Sequence, residues 1–321
     1  MGRGPVRRRL RSTRACLGLG AGTVACLLAA GCAGSSSTAE RPEPPPSSVP
    51  APVTGSTTES VSATPAATGE PYVGYPDSIV VLGHSGSTGE SSDPDRLGVE
   101  VRENSWVTGT NPAVNSLYQR LLAVHRQIGG HALALSQGGA TVTQLKTQAE
   151  SAVAQQPTNP LIVIQIMDND IVCPATTADY DTFEAGLREA LTVLDTGLPT
   201  SRLFVVTQFG SPTTYAPALT PAQRRQLGGT GPCALLDPDG KVVPRELRRL
   251  EDVIHGYEAR LKAACAAFDR CAFDSGAFGD VVDRAAYGAP DLNHFSVAGH
   301  AAAAAIAWKA LRRAGVVPVD G

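Results

Sequence analysis

The chain has 321 residues, 42% of them in the AVILMFWYC set and 18% charged, with a formal net charge of −3. The first 31 residues hold six arginines and no acid, so the remainder sets 21 bases against 30 acids, a charge of about −9. An acidic chain with 5% aromatics has neither the basic groove nor the stacking platform of a nucleic-acid binder, which excludes that class.

Six arginines lead into Cys16–Ala30, fifteen residues without a charge. That run is shorter than the roughly 20 residues of a membrane-spanning helix. A basic stretch, an apolar stretch and then small residues form the pattern of a secretory signal over 1–31. Leu28-Ala-Ala-Gly-Cys32 resembles a bacterial lipobox, which implies that Cys32 becomes a lipidated N-terminus. Plain signal-peptidase cleavage is the alternative, and the arginine cluster also leaves the twin-arginine route open. Residues 33–70 contain seven prolines and no Leu, Ile or aromatic residue. Such a segment cannot bury enough apolar surface to offset the ordering of its backbone, and it reads as a tether. The expected location is the outer face of a bacterial cell membrane, with secretion as the alternative.

From 71 to 321 apolar strands alternate with helices. Ser78-Ile-Val-Val-Leu-Gly83 reads as a buried strand. A helix is expected over 112–127, with Val114, Leu117, Leu121, Leu122 and Val124 on its apolar side. A strand at 131–136 and a helix at 142–154 follow, then Leu161-Ile-Val-Ile-Gln-Ile-Met167, the strongest strand. A helix at 180–194, a strand at 202–207 and a long helix at 244–268 come next. A short strand near 271–274 and a helix at 296–314 close the pattern. Residues 211–243, rich in Pro and Gly, are expected to be a loop over the site that decides access. No apolar-rich lid is evident, so a long-chain lipase is not favoured. Near-continuous apolar strands between helices indicate an α/β fold, a parallel sheet covered on both faces. Ligands of such sheets sit beyond the carboxyl ends of the strands.

Four cysteines remain after those assigned to the signal and anchor: Cys173, Cys233, Cys265 and Cys271. An even number in an exported protein points to two disulfides, with Cys265–Cys271 and Cys173–Cys233 preferred. A metal site lacks a Cys-x-x-Cys motif or a nearby histidine.

Four segments after strands or before the last helix carry polar residues of one chemistry. Gly83-His-Ser85 follows the first strand and exposes a hydroxyl after a sharp turn. Ser136-Gln-Gly-Gly-Ala-Thr141 follows the second, and its glycines let a backbone N–H approach a ligand, as an oxyanion site requires. Met167-Asp-Asn-Asp170 follows the third and offers the Asn169 amide. Each of these alone is also an ordinary turn. Asp291-Leu-Asn-His294 precedes the last helix, and a carboxylate three residues before a histidine can orient its ring through Nδ1. His300 lies within that helix and reads as structural.

Taken in order, Ser85, Gly139, Asn169 and Asp291-x-x-His294 resemble the SGNH hydrolase (GDSL-type esterase/lipase) superfamily, over roughly residues 78–310. With the lipobox and tether, the chain looks like an actinobacterial secreted member. The resemblance implies a three-layer α/β/α flavodoxin-like fold and hydrolysis of carboxylic esters without a metal or organic cofactor. It implies Ser85 as nucleophile, His294 as base and then acid, and Asp291 as the group orienting His294. The Ser85 N–H, the Gly139 N–H (or that of Gly138) and the Asn169 side chain would form the oxyanion hole. The implied substrate is an acetyl or short acyl ester on envelope glycan, lipid or a small molecule. The sequence departs from the family pattern at two places: His84 stands where the family has Asp, and Met167-Asp168 where it commonly has Gly-Gly. The alternatives are a catalytically degenerate domain that binds a glycan and a purely structural lipoprotein.

Overall fold

In a computed structural model, which describes residues 74–318, five strands form where the sequence is continuously apolar. They are β1 (Ser78–Gly83), β2 (Ala132–Ala134), β3 (Pro160–Gln165), β4 (Arg202–Val205) and β5 (Cys271–Phe273). All pair in parallel, in the order β2-β1-β3-β4-β5. The signal, Cys32 and the tether expected over 1–70 lie outside the described residues.

The strand pleat sorts alternate side chains onto two faces. Val80 and Leu82 of β1, with Ile162 and Ile164 of β3, face α2 (Val142–Gln155), α3 (Thr177–Gly197) and α6 (Pro244–Cys265). Ile79, Val81, Leu161 and Val163 face α1 (Leu117–Val124) and α7 (Val297–Arg313). The result is a three-layer α/β/α fold with a central parallel sheet, as the alternation of strands and helices predicts. On α7, Ala303, Ala304 and Ala307 are fully buried, and side chains that small bring the helix close to the sheet. Cys173–Cys233 and Cys265–Cys271 are joined as disulfides.

Two segments differ from the sequence expectation. The helix expected over 112–127 spans only Leu117–Val124, because Ser116 and Gln119 close a reciprocal capping box that fixes its start. His125 leaves helical geometry at its end, and Val124, expected on the apolar side, is exposed. Within 211–243, expected as a loop, the chain forms α4 (Pro212–Ala218) and α5 (Pro221–Leu227). Each starts with an N-cap hydroxyl, Ser211 or Thr220, followed by proline at the first helical position.

His300 is buried on α7, its ring nitrogens have no hydrogen-bond partner among the described residues, and its ring centroid lies 5.4 Å from that of Phe295 in an edge-to-face arrangement. Burial, and then the charge of His294, push its pKa down to about 3. The unfolded chain would take up that proton near pH 6.5, so stability falls as pH drops from about 6.5 toward 3. The whole interval costs on the order of 5 kcal/mol. His300→Leu should flatten that dependence, measured as urea unfolding at pH 7 and pH 4. An unchanged pH slope would contradict this assignment.

Candidate active site

β1 is an interior strand, with β2 on one side and β3 on the other, so the connections leaving β1 and β3 diverge. That divergence opens a crevice beyond the strand ends. The chain leaves β1 through Gly83, at φ +127°, into a single 3-10 turn, Ser85–Ser87. The Gln148 amide of α2 grips Gly83 from both sides: its oxygen accepts the Gly83 N–H at 2.6 Å, and its nitrogen donates to the Gly83 carbonyl at 3.0 Å. Ser85 therefore stands on a braced turn, and neither its hydroxyl nor its N–H is committed to a partner among the described residues.

His84 takes over the capping task at this turn. Its Nδ1 accepts the Gly86 N–H at 3.0 Å, which places the ring proton on Nε2. Nε2 lies 3.5 Å from Asp168 and makes no hydrogen bond. Burial holds the His84 pKa below its ordinary value against the pull of Asp168, and the charge of His294 lowers it further. A buried, neutral imidazole with its acceptor nitrogen engaged is a structural group.

The fourth segment forms a tight turn around Asp291. Its Oδ1 accepts the N–H groups of Asn293 and His294, each at 3.1 Å, and its Oδ2 lies 2.8 Å from His294 Nδ1. Desolvation alone would raise the Asp291 pKa. Hydrogen bonds from the Ser91 hydroxyl, the His294 ring and the two backbone N–H groups outweigh it and bring the value to about 2. An ionised carboxylate at Nδ1 keeps the proton there and leaves Nε2 as the acceptor. The Tyr215 hydroxyl of α4 donates to the Leu292 carbonyl at 2.6 Å and ties this turn to the helical insertion.

At the end of β2, Gly138 and Gly139 behave differently. The Gly138 N–H donates to Glu100 at 2.8 Å, whereas the Gly139 N–H has no partner among the described residues. Gly139 has φ +72°, and open space surrounds the place where a Cβ would stand. Glu100 is held by Arg102 at 2.6 Å, and Arg102 also donates to the carbonyls of Ala134 and Ser136. Asn169 follows β3 and spends one amide N–H on the Ala140 carbonyl at 2.9 Å, which leaves the other for a ligand. Met167 has a glycine-like backbone at φ 148°. A non-glycine residue pays strain for that conformation, and such strain collects at functional sites.

Contacts link all four segments. Ala140 touches Asn169, His84 faces Asp168, and Glu90 lies 3.8 Å from His294 Nε2. Glu90 also packs on the β2 turn, since a Cβ at Gly138 would stand 2.6 Å from its carboxylate. Sequence reasoning did not single out Glu90, Glu100, Arg102 or Gln148. Only Gln148 left a signal, as a polar residue on the buried side of α2 with Leu145, Ala149 and Ala152.

A cavity of about 450 Å³ adjoins His294 and Asp168. Its wall includes Leu219, Leu227 and Leu236 from the insertion and Leu250 and Ile254 from α6. The 211–243 segment thus presents apolar side chains that its Pro- and Gly-rich composition hid. No helix among the described residues is long and apolar enough to cross a membrane.

No family model and no curated protein matches the chain. Among solved structures it is similar to an extracellular lipase from Streptomyces rimosus, at 15% identity and a TM-score of 0.45, covering 73% of this chain and 99% of that one. It is also similar to a psychrotrophic esterase from Pseudoalteromonas sp., at 11% identity and a TM-score of 0.44, covering 74% of this chain and 97% of that one. A GDSL-like lipase from Bacteroides thetaiotaomicron is similar at 13% identity and a TM-score of 0.42, covering 74% and 89% respectively. The likeness is one of fold.

Proposed function

We propose that the chain is an SGNH-type serine esterase. The observation that carries this reading is the Asp291–His294 pair, whose Nε2 is approached by Asn293 Nδ2 at 3.4 Å and by Glu90 at 3.8 Å, together with the braced β1 turn on which Ser85 stands uncommitted. In this mechanism Ser85 Oγ attacks the ester carbonyl while Nε2 takes its proton. The resulting oxyanion is received by the N–H groups of Ser85 and Gly139 and by the remaining amide N–H of Asn169. His294 then protonates the leaving alcohol, and water repeats the sequence in reverse roles to release the acid. Asp291 stays ionised throughout and holds the imidazolium as it forms.

The apolar cavity supports acyl groups longer than acetyl, as found on lipids or acylated glycans. The export signal and the Cys32 lipid anchor belong to the same proposal and place the reaction at the outer face of the cell membrane. Turnover of p-nitrophenyl acetate and butyrate, compared with Ser85→Ala, tests the reading. Butyrate is expected to exceed acetate about tenfold in kcat/KM, since each buried methylene contributes about 0.8 kcal/mol. Equal rates from the wild type and Ser85→Ala would reject esterase activity on these substrates and leave a glycan-binding domain as the reading.

A further inference from the structure

Among the described residues, Glu90 is a carboxylate near His294 Nε2 that accepts no hydrogen bond. Asp291 is committed to His294 and to two backbone N–H groups, and Glu100 to Arg102 and the Gly138 N–H. Asp168 faces the Nε2 proton of His84. The Glu90 carboxylate accepts no hydrogen bond among the described residues, and its nearest base is His294 Nε2 at 3.8 Å. Its side chain is 20% exposed, so it reaches the crevice without being fully hydrated.

Its position relative to the reaction gives this carboxylate a meaning. Nε2 must deliver its proton to the leaving oxygen, so the alcohol part of an ester passes within a few ångströms of Nε2. A group 3.8 Å from Nε2 therefore borders the alcohol and not the far end of the acyl chain. The Gly138–Gly139 turn bounds the other side of Glu90, because Gly138 has no side chain to hold the carboxylate away. Binding of an ester strips water from Glu90. A neutral apolar alcohol leaves the carboxylate unpaired and a negatively charged one is repelled, whereas a cationic alcohol pairs with it.

On the esterase reading, we propose that Glu90 is a specificity-determining residue that selects esters of cationic alcohols, with the acyl chain directed to the apolar cavity. The test uses two esters with one acyl group: butyrylcholine and its uncharged isostere, 3,3-dimethylbutyl butyrate. The wild type should favour the choline ester about tenfold in kcat/KM, and added salt should erode that preference. Glu90→Gln should bring the ratio to within about twofold of unity. Because the readout is a ratio, a general loss of activity in the variant cancels. If Glu90 served only to hold protonated His294, both esters would change together, and an unchanged ratio would overturn the proposal. Binding to Ser85→Ala, measured by calorimetry, separates this proposal from catalysis itself. Butyrylcholine should bind about tenfold more tightly than the isostere, and the difference should vanish in Ser85→Ala with Glu90→Gln. Equal binding of the two esters to Ser85→Ala would overturn the selectivity even where turnover is intact. Absence of turnover by the wild type with the binding difference intact would instead remove the esterase reading alone.

Discussion

His294→Ala is expected to lower kcat for p-nitrophenyl butyrate by at least about a thousandfold, and His84→Ala by less than about tenfold. The first figure is the size of effect expected when the base of a serine–histidine pair is removed. His84 adjoins Ser85 in the chain and feels the charge of His294, and the two histidines differ in burial and in hydrogen bonding. His294 has Nδ1 on an ionised carboxylate, which leaves Nε2 as its acceptor, met only by the long 3.4 Å contact of the exposed Asn293 amide and by Glu90 at 3.8 Å among the described residues. In His84 the free acceptor is absent, because Nδ1 already receives the Gly86 N–H. Removing His84 loses that cap and some packing, a cost of about 1 kcal/mol for the cap. Asp291→Asn should fall near His294→Ala in kcat, since an amide no longer fixes the tautomer. A His84→Ala enzyme as inactive as His294→Ala would contradict these roles.

Gly83→Ala is expected to be the most damaging small substitution in the fold, costing more than about 4 kcal/mol. A Cβ there would stand 1.7 Å from the Gln165 carbonyl oxygen and 2.6 Å from its carbon, and φ +127° is unfavourable for alanine. The obstructing atoms are backbone, and the pairing of Gly83 with Gln165 across β1 and β3 holds them in place. The Gln148 clamp prevents Gly83 from yielding in the other direction. For a domain of this size the melting temperature should fall by roughly 10 °C or more, if soluble protein is obtained at all. Gly139→Ala is the control: it also has positive φ but meets open space, so its cost should be about 1–2 kcal/mol. Comparable melting temperatures for the two variants would contradict the steric account.

The strands and the order of the site segments were legible because both are local. Runs such as Ile79–Leu82 and Leu161–Ile164 are apolar at every position, which only a sheet covered on both faces requires. The Asp291–His294 spacing is likewise local, since a three-residue separation on one turn brings carboxylate and ring together. What escaped the sequence depends on tertiary contact. Glu90 and His294 are some two hundred residues apart, and nothing near either announces the other. Gly138 and Gly139 are equivalent in sequence until Glu100 takes the N–H of one of them. Pro and Gly in 211–243 read as loop, although two proline-started helices with hydroxyl caps sit within it. Val124 fits the apolar period of α1, but the helix ends there and leaves it in solvent.

The central claim is that Ser85 is an activated nucleophile, and labelling with a fluorophosphonate tests it independently of the natural substrate. Peptide mapping should find one adduct, on Ser85, that disappears in Ser85→Ala and forms much more slowly in His294→Ala. An unlabelled wild type, or an adduct that persists in Ser85→Ala, would contradict the account.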